Sequence, residues 1–175
     1  MSDKTESKTV ISLKTRLIAV SAAIVALAAC CYSVLGQQKL QLFSKIEAGF
    51  GKQEPEWKIA KIFEGEPGIP SEDISLRRGK QQALVSVKVW HTSQEAHEIF
   101  AGQVIAFDNV RGKRGERSKL PDLGDENYIW TNRATGVWPT LYFRKGNVFV
   151  WVFAPTVIVA KRFARHVLDQ IENQQ

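Results

Sequence analysis

Few residues of this sequence have the types and the spacing that metal binding or thiol chemistry requires. The three histidines, His91, His97 and His166, match neither an HExxH pattern nor another metal-ligand spacing, which favours surface or helix-edge positions. The two cysteines, Cys30 and Cys31, are adjacent, so they cannot readily bridge each other and they form no CxxC motif. These patterns argue against a zinc site, a disulfide scaffold and a thiol redox centre.

A short acidic stretch is the only other cluster with metal-binding chemistry. Asp122, Asp125 and Glu126 could offer oxygen ligands to a hard cation, but without an EF-hand pattern a solvated turn is favoured. The sequence contains no GxSxG motif, no P-loop and no dinucleotide-binding glycine motif. We therefore expect no catalytic residue, no metal and no cofactor, and we predict that the protein is not an enzyme.

Positive charge is concentrated in one segment. Residues 111–119 carry five basic side chains and one acidic side chain, whereas the rest of residues 37–175 is neutral overall. Such a segment could contact anionic lipid headgroups or an acidic partner, or it could be a solvated loop. Nucleic acid is not an expected partner, because no aromatic residues are interleaved for base stacking. The candidate contact residues are Arg111, Lys113, Arg114, Arg117 and Lys119.

Residues 148–153 alternate valines with aromatic residues. Side chains alternate across a strand, so one face receives the valines and the other receives Phe149, Trp151 and Phe153, with Tyr142 expected opposite Phe149. An apolar second face needs a cover, and an exposed patch of this kind is typical of an interface or a ligand groove. Tyr142, Phe149, Trp151 and Phe153 are therefore candidate interface residues. The alternative is a cover from the chain itself, by residues 57–62 or by a helix over residues 40–50.

The N-terminus predicts a membrane segment. Residues 17–36 are twenty residues without a formal charge, and twenty helical residues span ~30 Å, the thickness of the bilayer core. The basic flank in residues 1–16 favours a cytoplasmic N-terminus, a single span in the cytoplasmic membrane and a C-terminal domain outside the cytoplasm. Residues 27–30 also resemble a lipobox, which makes Cys30 a candidate lipidation site, and simple cleavage after secretion is the third alternative.

Two regions connect the membrane segment to the strands. Residues 37–54 place Leu42, Phe43, Ile46 and Phe50 at helical spacing, which predicts an amphipathic juxtamembrane helix that rests on lipid or packs back on the domain. The domain itself is predicted over residues 55–175. Residues 57–63 fit a helix or a strand, and residues 64–73, rich in proline and glycine, are predicted to form a loop.

An internal sequence repeat suggests the fold. Residues 85–90 resemble residues 148–153 at an offset of 63, and each stretch follows a glycine turn and precedes a helical pattern. Thr92 and Glu95 form a capping-box pattern before the first helix, and Pro155-Thr156 opens the second. A hairpin turn at Lys145-Gly146 would place Phe143 opposite Val148. The prediction is an α+β two-layer sandwich: an antiparallel sheet of about five strands with two helices on one face, built as a ββα repeat.

Three short motifs support a resemblance. Residues 124–128 (GDENY), 143–148 (FRKGNV) and 160–164 (AKRFA) resemble those of a loose group of exported bacterial α+β domains without an assigned activity. The likeness covers about residues 55–173, and the layout is similar to PsbP/Mog1-like sandwiches. The resemblance implies an exported α+β domain and transfers no catalytic residue.

Two functions of different class follow from these patterns. The first is a membrane-tethered, extracytoplasmic, non-catalytic interaction domain, an accessory subunit of an envelope complex that binds a protein partner or a second copy of itself. The alternative is an extracytoplasmic domain that binds a small molecule or a lipid in a groove between sheet and helices.

Overall fold

A computed structural model of the chain describes residues 41–64, 69–111, 115–132 and 138–174. The predicted membrane segment and the candidate lipidation site Cys30 lie outside these ranges. Among the helices that are described, none is long and apolar enough to cross a membrane. Every described residue belongs to one compact unit, Gln41–Gln175.

This unit is an antiparallel sheet with helices, so the α+β prediction is confirmed. Within the described residues, seven strands pair in the order β1-β2-β3-β7-β6-β5-β4, and three helices pack on them. The prediction of about five strands is too low, because both edge strands, β1 and β4, were missed or left undecided. The strands are β1 (Lys58–Glu64), β2 (Ser71–Arg78), β3 (Gln81–Val89), β4 (Gly115–Ser118), β5 (Glu126–Asn132), β6 (Thr140–Lys145) and β7 (Val148–Phe153); the helices are α1 (41–53), α2 (Ser93–Arg111) and α3 (Val157–Glu172).

The valine face of the sheet, formed by the inward residues of β3 and β7, holds the larger core. The valines of these strands cluster with the buried stripes of α1 and α3. The apolar stripe of α3 is fully buried, and Thr156, at the predicted start of this helix, caps it by accepting a hydrogen bond from the Val159 amide at 3.2 Å. The buried stripe consists of Ala160, Phe163, Ala164, Val167, Leu168 and Ile171.

The aromatic face of the sheet has a core of its own. Here α2 supplies Phe100 and Val104, which cluster with the aromatic residues of β5, β6 and β7. The prediction that two helices share one face is therefore wrong: α3 and α2 lie on opposite faces, with the sheet between them. The physical reason is that β7 is apolar on both sides, and each side needs its own cover.

The predicted repeat is limited to the hairpins. β2-β3 and β6-β7 both turn at a glycine with positive φ, Gly79 at 58° and Gly146 at 56°. β3 and β7 are also direct neighbours at the centre of the sheet, with Val87 opposite Val150. The helices that follow these hairpins pack on opposite faces of the sheet, so the structural repeat does not include them.

The β6-β7 hairpin differs from its prediction by a slip of two residues. Lys145 pairs with Val148, so Gly146 and Asn147 form the turn, and Phe143 lies opposite Val150 rather than Val148. A slip of two residues leaves every side chain on its predicted face, since the alternation along a strand has a period of two. The same slip places Tyr142 opposite Trp151.

Helix α1 packs on the domain, which is one of the two alternatives that the sequence left open. Leu42, Phe43, Ile46 and Phe50 are all buried in the valine-face core. The ring of Phe50 meets that of Phe163 in α3 edge-to-face, with centroids 5.1 Å apart. The core thus includes residues that the sequence assigned to a juxtamembrane linker.

His166 connects α1 to α3, and the prediction that it lies at the surface or at a helix edge is wrong. It is 3% exposed rather than superficial, and its Nδ1 lies 2.8 Å from the Gln53 side-chain oxygen. Its Nε2 lies 3.3 Å from the carbonyl oxygen of Ile46. Gly49 faces the imidazole ring closely enough that no side chain fits between them.

Candidate functional site

Helix α2 is fixed over β5 and β6 by its cap and by its aromatic contacts. The predicted capping box is confirmed: the Glu95 amide donates to the Thr92 hydroxyl at 3.1 Å, and the Thr92 amide donates to the Glu95 carboxylate at 3.1 Å. Further along, Phe107 meets Trp130 edge-to-face at 5.4 Å between centroids. The Tyr128 hydroxyl donates to Asp108 at 2.7 Å.

Beside these contacts, α2 leaves a groove toward the β4 edge of the sheet. The groove has a volume of about 400 Å³, and its walls are mostly apolar. Phe100, Val104 and Tyr128 are buried beside it, whereas Ile105 is 61% exposed at its rim. The groove is lined by Phe100, Ala101, Val104, Ile105, Ser118, Lys119, Glu126, Asn127 and Tyr128.

Two polar residues of this groove already have partners within the fold. Glu126 lies 2.7 Å from Nδ1 of His97 and accepts a hydrogen bond from Arg144 at 2.7 Å. Although burial acts to raise the pKa of Glu126, the hydrogen bonds from His97 and Arg144 lower it below its ordinary value. The Asn127 side chain bonds both the amide and the carbonyl of Leu120. Glu126 is therefore an ionised structural partner.

Lys119 differs from these two residues. Its side chain is exposed and lines the groove where β4 ends. Within the described ranges, its ammonium has no hydrogen-bonding or ionic partner. Lys119 thus places a positive charge beside an apolar groove.

Two of the three carboxylates in the acidic stretch, those of Asp125 and Glu126, form salt bridges. Asp125 accepts a hydrogen bond from the Gly146 amide at 2.7 Å and pairs with Arg144 at 3.3 Å and Lys145 at 3.5 Å. Across the described residues, no group of three metal-ligating side chains comes together. The carboxylates of Asp125 and Glu126 therefore hold the β6-β7 hairpin to the segment that precedes β5.

The candidate interface residues divide into two pairs. Tyr142 is 3% exposed and Phe149 is 4% exposed beneath α2, so neither belongs to an open surface. The cover comes from within the chain, but it is α2 and not residues 57–62 or 40–50. Trp151 and Phe153 are half-buried, and Phe153 packs against Trp138 at 5.1 Å between centroids.

The basic segment is only partly described. Arg111 ends α2, and Arg117 lies in β4 opposite Trp130, but their side chains lie outside what the structure describes. Lys113 and Arg114 lie outside it altogether. Part of this segment is the edge strand β4, so the predicted loop is shorter than residues 111–119. Contact of these residues with anionic lipid stays a prediction.

The sequence did not reveal the groove because β4 has no strand pattern. Gly115–Ser118 is short and polar, and its pairing with β5 creates the second wall. One weak signal was available: the α2 sequence carries an additional apolar residue, Ile105, directly after Val104. A single apolar residue is ordinary on a protein surface, so Ile105 alone could not identify the groove.

Comparison with known proteins supports the fold and assigns no family. No protein-family model matches this sequence, and no curated protein sequence matches it significantly. Among solved structures, the chain is similar to the extracellular domain of PknH from Mycobacterium tuberculosis, with a TM-score of 0.52 and 13% sequence identity. The match covers 74% of this chain and 91% of that domain. The chain thus shares an α+β fold with that domain.

Proposed function

We propose that this protein is a membrane-anchored, extracytoplasmic domain that binds a small apolar or amphipathic molecule between α2 and the β4-β5 edge of the sheet. The observation that carries the proposal is the groove itself. Its volume of about 400 Å³ falls within the range typical of ligand pockets, ~300–1,000 Å³. Its composition, an apolar interior with a few polar groups at one side, is also typical of such sites.

Two of the polar groups that line the groove favour binding over catalysis, because they already have partners within the fold. Glu126 is ionised and held by Arg144 and His97, and Asn127 is held by main-chain groups of Leu120. A general acid or base needs a proton-transfer partner in the substrate and a pKa near the working pH. Glu126 has the opposite pKa shift. A ligand in this groove would therefore be held by apolar contacts without being transformed.

Two observations support a location outside the cytoplasm. Residues 17–36 have the length and composition of a membrane span behind a basic flank. The fold is similar to an extracellular domain. We propose a single-pass anchor in the cytoplasmic membrane, with lipidation at Cys30 as the alternative form of tether.

A second candidate function is suggested by the half-buried residues of the aromatic face. Trp151 and Phe153 are not sealed by α2, and Trp138 extends the same surface. Large aromatic residues are enriched at protein interfaces. The alternative proposal is an accessory subunit that binds a protein partner, or a second copy of itself, through this surface.

The groove can be tested with a neutral solvatochromic dye, whose fluorescence rises in apolar surroundings. Because residues 41–175 form a compact unit of their own, the test uses this excised domain. Ala101→Trp places an indole in the groove and should abolish the fluorescence increase. Gln103→Trp, an exposed position on the same helix that does not line the groove, should leave the increase unchanged. Equal binding by both variants would contradict the proposed function.

A further inference from the structure

We infer that the groove selects an amphipathic anion, a fatty-acid-like molecule whose acidic head pairs with Lys119 while its chain lies along α2. This inference rests on the proposed function and names the class of ligand. It combines one apolar surface with one positive charge, that of Lys119, which has no ionic partner among the described residues, and each of these limits the chemistry of the ligand.

The apolar part follows from the walls. Phe100, Ala101, Val104 and Ile105 form one continuous side of the groove on α2, and Tyr128 faces them from β5. Tyr128 presents its ring there because its hydroxyl already donates to Asp108 at 2.7 Å. A ligand body made of CH₂ groups would gain ~0.8 kcal/mol for each group that it buries.

The charge of the head follows by elimination among the polar lining groups. A cationic head would need an available carboxylate, but Glu126 is already paired with Arg144 at 2.7 Å and bonded to His97. A neutral amide-like head would need free polar partners, but the Asn127 side chain is engaged with Leu120. Lys119 remains. Ser118 pairs with Ile129, whose side chain lies in the valine-face core, so the Ser118 hydroxyl is on the other face of the sheet. An ammonium beside an apolar groove favours a carboxylate or a phosphate.

The test uses the full chain in phosphatidylcholine nanodiscs and a dodecanoate analogue with a photoactivatable diazirine. Labelled peptides are identified by mass spectrometry, and labelling is expected in 100–105 of α2 and 126–128 of β5. Three competitors with the same chain follow: dodecanoate, dodecanol and dodecyltrimethylammonium, at pH 8, where a carboxylic acid is ionised. The carboxylate of dodecanoate can form a charge-assisted hydrogen bond with Lys119, whereas the hydroxyl of dodecanol cannot. We therefore expect dodecanoate to compete at about tenfold lower concentration than dodecanol.

Variants of Lys119 assign this preference to one residue. Lys119→Gln should remove the advantage of dodecanoate over dodecanol and leave labelling by the probe in the same peptides. Lys119→Glu should make dodecyltrimethylammonium the best competitor. Lys161→Gln, an exposed lysine on α3, is the matched control and should behave as the wild type.

The outcomes separate the ligand class from the groove. Equal competition by dodecanoate and dodecanol, with labelling still in 100–105, would overturn the anion inference while the groove stands. Labelling outside both peptides would overturn the groove and the inference together. Replacing the lipid with phosphatidylglycerol distinguishes the sources of the anion: suppressed labelling supports a lipid headgroup, and retained labelling supports a free fatty acid.

Discussion

Substitution of Gly49 by alanine tests whether α1 packs against α3 as closely as the structure indicates. A Cβ atom at Gly49 would lie 2.2 Å from Cε1 and 2.4 Å from Nε2 of His166. The imidazole ring cannot move aside freely, because Gln53 and the Ile46 carbonyl hold its two nitrogens and Phe50 packs on its face. The added methyl group must therefore displace α1 or break the bonds of His166.

The expected magnitude is a balance of three effects. Alanine gains ~1 kcal/mol over glycine inside a helix. Overpacking of a tight core costs ~1–3 kcal/mol, and a buried imidazole that loses a partner costs ~1–3 kcal/mol more. The unfavourable effects win, so we expect Gly49→Ala to lower the free energy of unfolding by ~2–3 kcal/mol. For a chain of this length that is a fall in Tm of ~5–10 °C.

Urea denaturation and a thermal melt followed by circular dichroism measure this change. The matched control is Gly51→Ala in the same helix, where a Cβ meets no atom within 4 Å. That variant should be neutral or up to ~1 kcal/mol more stable than the wild type. If Gly49→Ala proved as stable as Gly51→Ala, α1 would not be packed on His166 and the assignment of α1 to the core would be wrong.

Three further predictions concern the Glu72 carboxyl group, the aromatic face and the membrane anchor. Burial, and secondarily the nearby carboxylate of Glu47, raises the pKa of Glu72 to about 7 from its ordinary 4.5. Because the folded pKa is raised, the stabilisation from Glu72 is full below pH 4.5 and is lost as the pH rises through about 7. From pH 5 to pH 8, the free energy of unfolding should therefore fall less in Glu72→Gln than in the wild type, as measured by denaturation at both pH values. Equal falls in the two proteins would refute this. Trp151→Ser removes an indole stacked on Tyr142 at 5.9 Å between centroids, and the excised domain should lose ~2–3 kcal/mol of stability. An unchanged melt together with lost association would instead support Trp151 as an interface residue. Cys30→Ser should leave the size and membrane association of a transmembrane protein unchanged, as judged by fractionation and immunoblotting; loss of lipid labelling and of maturation would establish the lipoprotein.

Local signals in the sequence predicted much of the fold. The Thr92 and Glu95 pair located the start of α2, and Thr156 located the start of α3, because caps are set by residues adjacent in the chain. The valine and aromatic alternation of β7 assigned its two faces correctly for the same reason. Each of these features depends only on neighbours in sequence.

The errors concern features that depend on distant residues. The side of the sheet on which α2 packs is decided by Tyr142 and Phe149, which need a cover, and the capping pattern carries no information about it. β4 exists because Gly115–Ser118 pairs with β5, although its own composition is that of a loop. The groove lies between α2 and β4, so both of these long-range choices had to be known before the site could be found.

Methyl-resolved NMR of the excised domain, titrated with dodecanoate, tests the central claim most directly. Ala101, Val104 and Ile105 carry methyl groups in the lining of the groove, whereas Ile62 and Ile158 are exposed and do not line it. Saturable shifts of the methyl signals of the first three residues, with those of the last two residues unchanged, are the result that the proposed function predicts. Shifts distributed over all five, or shifts confined to Ile62 and Ile158, would contradict a binding site between α2 and the β4-β5 edge.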